Sequence, residues 1–259
     1  MKIRHATGFT LMEMSVVLVI IGLIIGGILF GRSMLVASQL QTVLTDEDNY
    51  VTAATNFRQQ YQALPGDMPT AAAQWGTDSS GCNDGGGTSG TCSGNGDGEI
   101  GPSGSEYESF RFWQHLYYAG LFNQRLNGVA SSAGVYGATI GTNVPAGSIS
   151  GSGFSVTWAL VGVVGVGTKY YSGSYGNVLI FGGVSNTFLT SGPILTADQA
   201  ASLDGKIDDG LPGTGKVRSF NTSGSSYTPS CATSSNPTTA TYNVSASGRL
   251  CSLIFITNL

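Results

Sequence analysis

The sequence predicts an α+β protein with a long N-terminal α-helix, on three observations. An apolar run from Phe9 to Phe30 comes near the start of the chain. Apolar residues at three- and four-residue spacing follow from Leu40 to Leu64, and the remainder breaks into short strand-like runs between glycine- and serine-rich stretches. The expected layout is a helix over residues 9–64, its second half packed on an antiparallel sheet with short extra helices in a globular head over residues 65–259.

Composition narrows the function classes. Of 259 residues, 41% are hydrophobic, only 10% are charged and 39 are glycine, with a formal net charge of -4. One modest domain plus an appendage fits this length. Neutralising phosphates needs clustered Lys and Arg, which this chain lacks, so no nucleic acid partner is expected.

Between Phe9 and Phe30 the only polar side chains are Thr10, Glu13 and Ser15. A helix of that span is roughly 33 Å long, enough to cross a bilayer core. Lys2 and Arg4 precede it, and positive charge before an apolar run holds that end in the cytoplasm. A secretory signal would have a shorter apolar core and a small-residue cut site, for which Val36-Ala37-Ser38 is a poor match. An ordinary anchor leaves Glu13 without a purpose, because an acid costs about 2.5–3.5 kcal/mol at the centre of a span and less near its end.

Gly8-Phe9-Thr10-Leu11-Met12-Glu13, after a short basic leader and before a long apolar run, resembles the class III signal of type IV pilins and of the pseudopilins of type II secretion. The resemblance implies a leader peptide over residues 1–8, cut by prepilin peptidase between Gly8 and Phe9 on the cytoplasmic face, and N-methylation of the new Phe9 amine. It also implies that Glu13 meets the terminal amine of a neighbouring subunit during assembly. The physics agrees, since cleavage creates a cation about one helical turn from the carboxylate in a low-dielectric setting. The alternative is a purely local role, in which Glu13 answers the dipole of its own helix.

Gly22-x-x-x-Gly26 and Gly27-x-x-x-Gly31 have the small-residue spacing that lets helices approach closely in lipid. Many pilins carry a proline in this region; this sequence has none, and the glycine cluster stands in its place. Leu40, Val43, Leu44, Val51, Ala54, Phe57, Tyr61 and Leu64 continue the helical spacing, and Pro65-Gly66 should end it.

In the head, a loop-rich stretch runs from Asp67 to Gly104. Ser105-x-x-Glu108 is a capping box for a helix through "EYESFRFWQHLYYAG", ended by Gly120, with Phe110, Trp113 and Tyr117 along a core face. Strand-like runs follow at "FSVTWALVGVV", "NVLIF", "KVRSF", "TYNVSA" and "CSLIFIT". Thr196 and Gln199 form a second capping box, opening "TADQAASLDGKID". "ESFRFWQHL" and "IDDGLPGTGKV" are similar to stretches of larger pilin-like proteins of Gram-negative bacteria.

An even cysteine count in an exported domain reads as disulfides, and sequence order suggests Cys82–Cys92 and Cys231–Cys251 among the three possible connectivities. "GLPGTGK", Gly210 to Lys216, has P-loop spacing, but Val217 replaces the magnesium-binding Ser or Thr, so it reads as a glycine-rich turn. "SGNGDGEI" resembles the middle of an EF-hand loop, with Asn95 and Asp97 as oxygen donors for calcium, Gly98 at the sharp turn and the Glu99 carbonyl as a further ligand. Ser93 stands where the first acid belongs and Gly104 where the bidentate Glu belongs, which leaves a plain Asn/Asp/Gly turn as the alternative.

Catalysis has little support. His5 lies in the leader and His115 on an aromatic helix, and no nucleophile–base arrangement stands out. The expected function is therefore a non-enzymatic structural subunit of a type IV pilus-like filament. Its partners are copies of itself or other pilins, prepilin peptidase and an inner-membrane assembly platform. It starts as a single-pass inner-membrane precursor and ends in a periplasmic or cell-surface filament. The alternatives are a type II secretion pseudopilin and, from another class, a membrane-anchored extracytoplasmic hydrolase or binding module.

Overall fold

The structure, a computed structural model, describes residues 9–80, 82, 89–101, 108–131, 137–159, 171, 173, 175–185, 189–220 and 230–259. The expected α+β class is what it has. Helix α1 runs Leu11–Tyr61, α2 Ala71–Trp75 and α3 Glu108–Tyr118; strands β1 Ser152–Ala159 and β2 Gly176–Gly183 follow, then α4 Ala197–Ile207, β3 Val217–Ser219 and β4 Leu253–Ile256. The four strands form one antiparallel sheet in the order β1-β2-β4-β3.

Two compact units divide the chain, Met1–Thr42 and Val43–Leu259. In the first, the side chains from Phe9 to Phe30 are exposed to the surroundings, and this is the one helix among the described residues long and apolar enough to cross a membrane, with mean hydropathy 2.7 over its most apolar window. A Cβ built on Gly22, Gly26, Gly27 or Gly31 would have no neighbour within 4 Å, so nothing within the chain requires glycine there.

In the second unit, Val43, Ala54 and Phe57 of α1 are buried, on the face drawn by the apolar spacing, and Ala53 is buried with them. Tyr50 sits edge-on to Trp113 of α3 at 5.0 Å, to Phe122 at 5.9 Å and to Phe154 of β1 at 5.2 Å between ring centroids, joining helix, helix and sheet. The sheet contributes Val178, Ile180 and Ile254 to a core with Phe110, Val144 and Leu189. Helix α1 ends with Gln62 in the left-handed region at φ 55°, just before Pro65. At Gly66, φ is 88° and an added Cβ would collide with the Glu108 carbonyl, so the chain can pass α3 this closely only without a side chain.

Several expected elements differ. Ser105 lies outside the described residues, as does the end of "FSVTWALVGVV". The stretch expected to be loop from Asp67 contains α2, a single turn of Ala-rich chain whose Ala71 is buried. "TYNVSA" is not a strand: Tyr242 makes one bridge with Ala232, and the chain then turns, with Ala246 N–H donating to the Asn243 carbonyl at 3.0 Å. Alternation fails there because Val244 is 62% exposed. Helix α4 has the full Thr196–Gln199 capping box, and Gly120 closes α3 at φ 72°.

Phe110 and Trp113 are buried as the spacing predicts, but so are Glu108, Arg111, Gln114 and His115. A helix covered almost all round satisfies much of its polar surface internally, here with Ser109 Oγ and Trp113 Nε1 left without a partner among the described residues. Arg111 donates to Asp78 at 2.7 Å and to Gln114 Oε1 at 2.8 Å, and the Arg111–Asp78 pair is fully buried.

Candidate functional site

The first residues of α1 form a reciprocal cap. Thr10 stands just before the helix, and Glu13 Oε2 accepts from both the Thr10 backbone N–H and its hydroxyl, each at 2.8 Å. In return, the Glu13 N–H donates to Thr10 Oγ1 at 3.2 Å. This is a Thr-x-x-Glu capping box, which satisfies donors that the first turn of any helix leaves free. Sequence reading considered the dipole at this position but missed the box, although Thr10 and Glu13 carry its spacing. Phe9 is 79% exposed beside it, and Gly8 lies outside the described residues.

Among the candidate calcium ligands, the structure brings together a different set from the one the EF-hand likeness implied. Asn95 and Asp97 are tied up in successive turns: Asp97 N–H donates to Asn95 Oδ1 at 2.9 Å, Asn95 Nδ2 to Asp97 Oδ2 at 2.8 Å, and Glu99 N–H to Asp97 Oδ1 at 2.8 Å. Gly98 takes φ 85°, the sharp turn expected of it. Asp97 converges instead with Asp67 and Glu108, which supply oxygens lying within 4.8 Å of one another. Both of these partners are buried. No local pattern announces them, since they come from the turn after α1 and the start of α3.

Backbone N–H groups hold this acid pocket in place. Asp67 accepts from Gly96, Asp97 and Gly98, and Glu108 accepts from Asn95 and Gly101. Burial, with the charges of Asp67 and Asp97 adding to it, nevertheless pushes Glu108 up to about 7. Burial raises Asp67 in the same direction, against the pull of its amide donors. Three carboxyl groups this close have the oxygen chemistry that suits a hard cation such as calcium.

A second acidic group closes the "GLPGTGK" turn. Lys216 and Val217 N–H groups, where a P-loop would present amides to phosphate, donate to Asp208 Oδ2 of the same chain. The anion position of this glycine-rich turn is thus filled by a carboxylate, in line with reading it as a turn. Behind it, buried Asp204 accepts from the Tyr242 hydroxyl at 2.7 Å and from Gly210 N–H at 3.1 Å. Burial first, then the hydrogen bond and charge of Asp208, push Asp204 up to about 8.

His115 is fully buried. Its Nδ1 accepts from Gly66 N–H at 2.8 Å, so Nε2 carries the proton and donates to the Cys92 carbonyl at 3.0 Å. Burial pulls its pKa down to about 4. A neutral imidazole bridging two backbone groups is a structural tie, the core role expected of it. Disulfides join Cys82 to Cys92 and Cys231 to Cys251. The second lies where Cys251 exchanges backbone hydrogen bonds with Leu195 just before α4.

Comparison with family models, with curated proteins and with solved structures finds no match to this chain.

Proposed function

We propose that this chain is a structural subunit of a type IV pilus-like filament, cut between Gly8 and Phe9, methylated at Phe9 and assembled through its apolar N-terminal half-helix. The observation that carries the reading is an exposed apolar helix long enough to span a membrane, with one acid, Glu13, in its first turn four residues beyond Phe9. In a filament, the surface from Phe9 to Phe30 is buried by copies of itself, which gives it a second apolar environment after the bilayer. The glycines that meet nothing within the chain then serve close helix–helix approach.

Glu13 has two roles in this reading. Within one subunit it caps α1 with Thr10; between subunits its charge answers the Phe9 amine of a neighbour. The disulfide-stapled unit lies outside the cytoplasm, where an oxidising compartment forms the bonds.

A type II secretion pseudopilin shares each of these features. Shearing of cells separates the two: the chain in a surface-shed filament fraction supports the pilin, whereas loss of protein export on deletion, with no surface filament, supports the pseudopilin. A chain recovered only as a dispersed membrane protein in both assays would contradict filament assembly and favour the anchored binding module or hydrolase.

A further inference from the structure

Two acids, Asp204 and Asp208, stand in the last turn of α4 and at its C-terminal cap, where the partial negative charge of a helix end favours cations instead. Their side chains are hydrogen-bonded to each other, and with Asp209 they present oxygens within 4.8 Å of one another. A bond between two carboxyl groups needs a proton on one of them. Asp204 is fully buried and Asp208 only half-buried, so the proton belongs to Asp204, whose O–H donates to the Asp208 carboxylate.

This pair holds a cover on the sheet. In the order β1-β2-β4-β3, β3 is an edge strand. Its Val217 N–H donates to Asp208 Oδ2 at 3.1 Å and its Ser219 N–H to the Pro212 carbonyl at 2.9 Å, rather than to β4, and the Lys216 N–H joins Val217 on the same carboxylate oxygen. The turn from Asp208 to Gly215 thus occupies donors that an edge strand otherwise leaves unpaired. The fit is close: a Cβ added at Gly215 would collide with the Asp208 carboxylate, and one at Gly213 with Pro237.

We propose that Asp204 and Asp208 form a proton-operated latch, which holds the turn on the edge of β3 while Asp204 is protonated and releases it when that proton leaves. The charge acting on Asp204 is that of Asp208, so losing the proton leaves two like charges in contact. Asp209 adds a third carboxylate from the turn, engaged by the Thr214 hydroxyl at 2.6 Å and the Leu211 N–H at 2.9 Å. Tyr242 donates to Asp204 at 2.7 Å; burial and the charge of Asp204 raise its pKa and keep it a neutral donor, and Tyr171 acts on Tyr242 in turn. Lys216 gives the pair its backbone N–H while its charge acts on Glu47 of α1, and Arg218 donates to the Gly215 carbonyl and lies over Tyr175.

Burial, then the bond to Asp208, push Asp204 up to about 8 in the closed latch, against an ordinary value of 3.8 once released. Protons therefore favour the closed form: the contribution is complete below pH 3.8, falls as pH rises and is gone above about 8.

The latch does not depend on filament assembly. Hydrogen exchange of the full chain in lipid nanodiscs with EDTA, read by mass spectrometry on peptides spanning residues 208–220 and corrected for the intrinsic pH dependence of exchange, tests it. Protection of these residues should fall about tenfold per pH unit between pH 5 and 7 and level off above pH 8, the slope of one proton. Asp204→Asn donates to Asp208 at every pH, so its protection should stay flat. A flat profile in the parent, or the same slope in Asp204→Asn, overturns the proposal. Should that variant fail to fold, NMR of the parent decides: the Asp204 carboxyl carbon and the Lys216 and Val217 amides must titrate with one midpoint, and separate midpoints overturn the latch.

Discussion

Glu13 Oε2 closes on Thr10 from both sides, taking its backbone N–H and its hydroxyl at 2.8 Å each, and this gives the acid a partner within its own subunit. The cap and the proposed intersubunit charge can therefore be separated by mutation. Glu13→Gln keeps an N3 side chain able to cap but removes the charge; Thr10→Ala removes the cap at a cost of about 1 kcal/mol but keeps the charge. If the charge directs assembly, Glu13→Gln is lost from filaments while Thr10→Ala enters them. Equal incorporation of both, scored by immunoblot of a sheared filament fraction, would leave Glu13 with capping alone.

His115 should make the second unit sensitive to acid. Its folded pKa, about 4, lies below the unfolded value near 6.5, so the unfolded chain binds the extra proton first. The stability associated with the neutral ring is complete above pH 6.5 and falls as pH drops toward 4. His115→Ala strands the Gly66 N–H and the Cys92 carbonyl, at a cost of roughly 2–3 kcal/mol. Thermal melts across this pH range should show the acid-side slope in the parent and its loss in the variant.

Glu108 works in the opposite direction. Its folded pKa of about 7 lies above the unfolded 4.5, so its favourable contribution is complete below pH 4.5 and lost as pH rises toward 7. Glu108→Gln loses a hydrogen bond at every pH, because both oxygens accept from N–H groups, but the deficit against the parent should shrink between pH 4.5 and 7. A constant deficit would contradict the shift.

Calcium tests whether the same pocket takes a cation. If Asp67, Asp97 and Glu108 hold the ion, millimolar calcium raises the melting temperature at pH 8 in the parent and not in Glu108→Gln. No shift in the parent removes the cation from this pocket and with it the metal role considered for Asn95, Asp97 and the Glu99 carbonyl.

Opening the Cys231–Cys251 bridge by a double change to alanine should cost about 3 kcal/mol, the chain-entropy value for a loop of this size. The separation is 20 residues, and Cys251 exchanges backbone hydrogen bonds with Leu195 at the entrance to α4. A melting temperature unchanged from the parent would show that those backbone bonds suffice.

Features with a local cause were legible in the sequence. The exposed apolar helix, the buried face of α1, the Thr196–Gln199 cap and the Gly120 stop each depend on spacing or on one residue's backbone freedom, and each stands where the pattern put it. Adjacent pairing also sufficed for the two disulfides. The pattern could not show groups meeting from distant segments. Asp67 and Glu108 reach Asp97 only through the fold, and Arg111 and Gln114 look like the solvated face of α3 until loops cover them. "TYNVSA" alternates like a strand, but Tyr242 turns its hydroxyl to Asp204 and the chain bends away after it.

The central proposal is processing at the Gly8-Phe9 junction, and the intact mass of the mature protein from cells with and without prepilin peptidase measures it most directly. With the peptidase, the mass should fall by residues 1–8 and rise by one methyl group on Phe9; without it, the full precursor should remain. Retention of Met1 to Gly8 in both strains would contradict the filament-subunit reading.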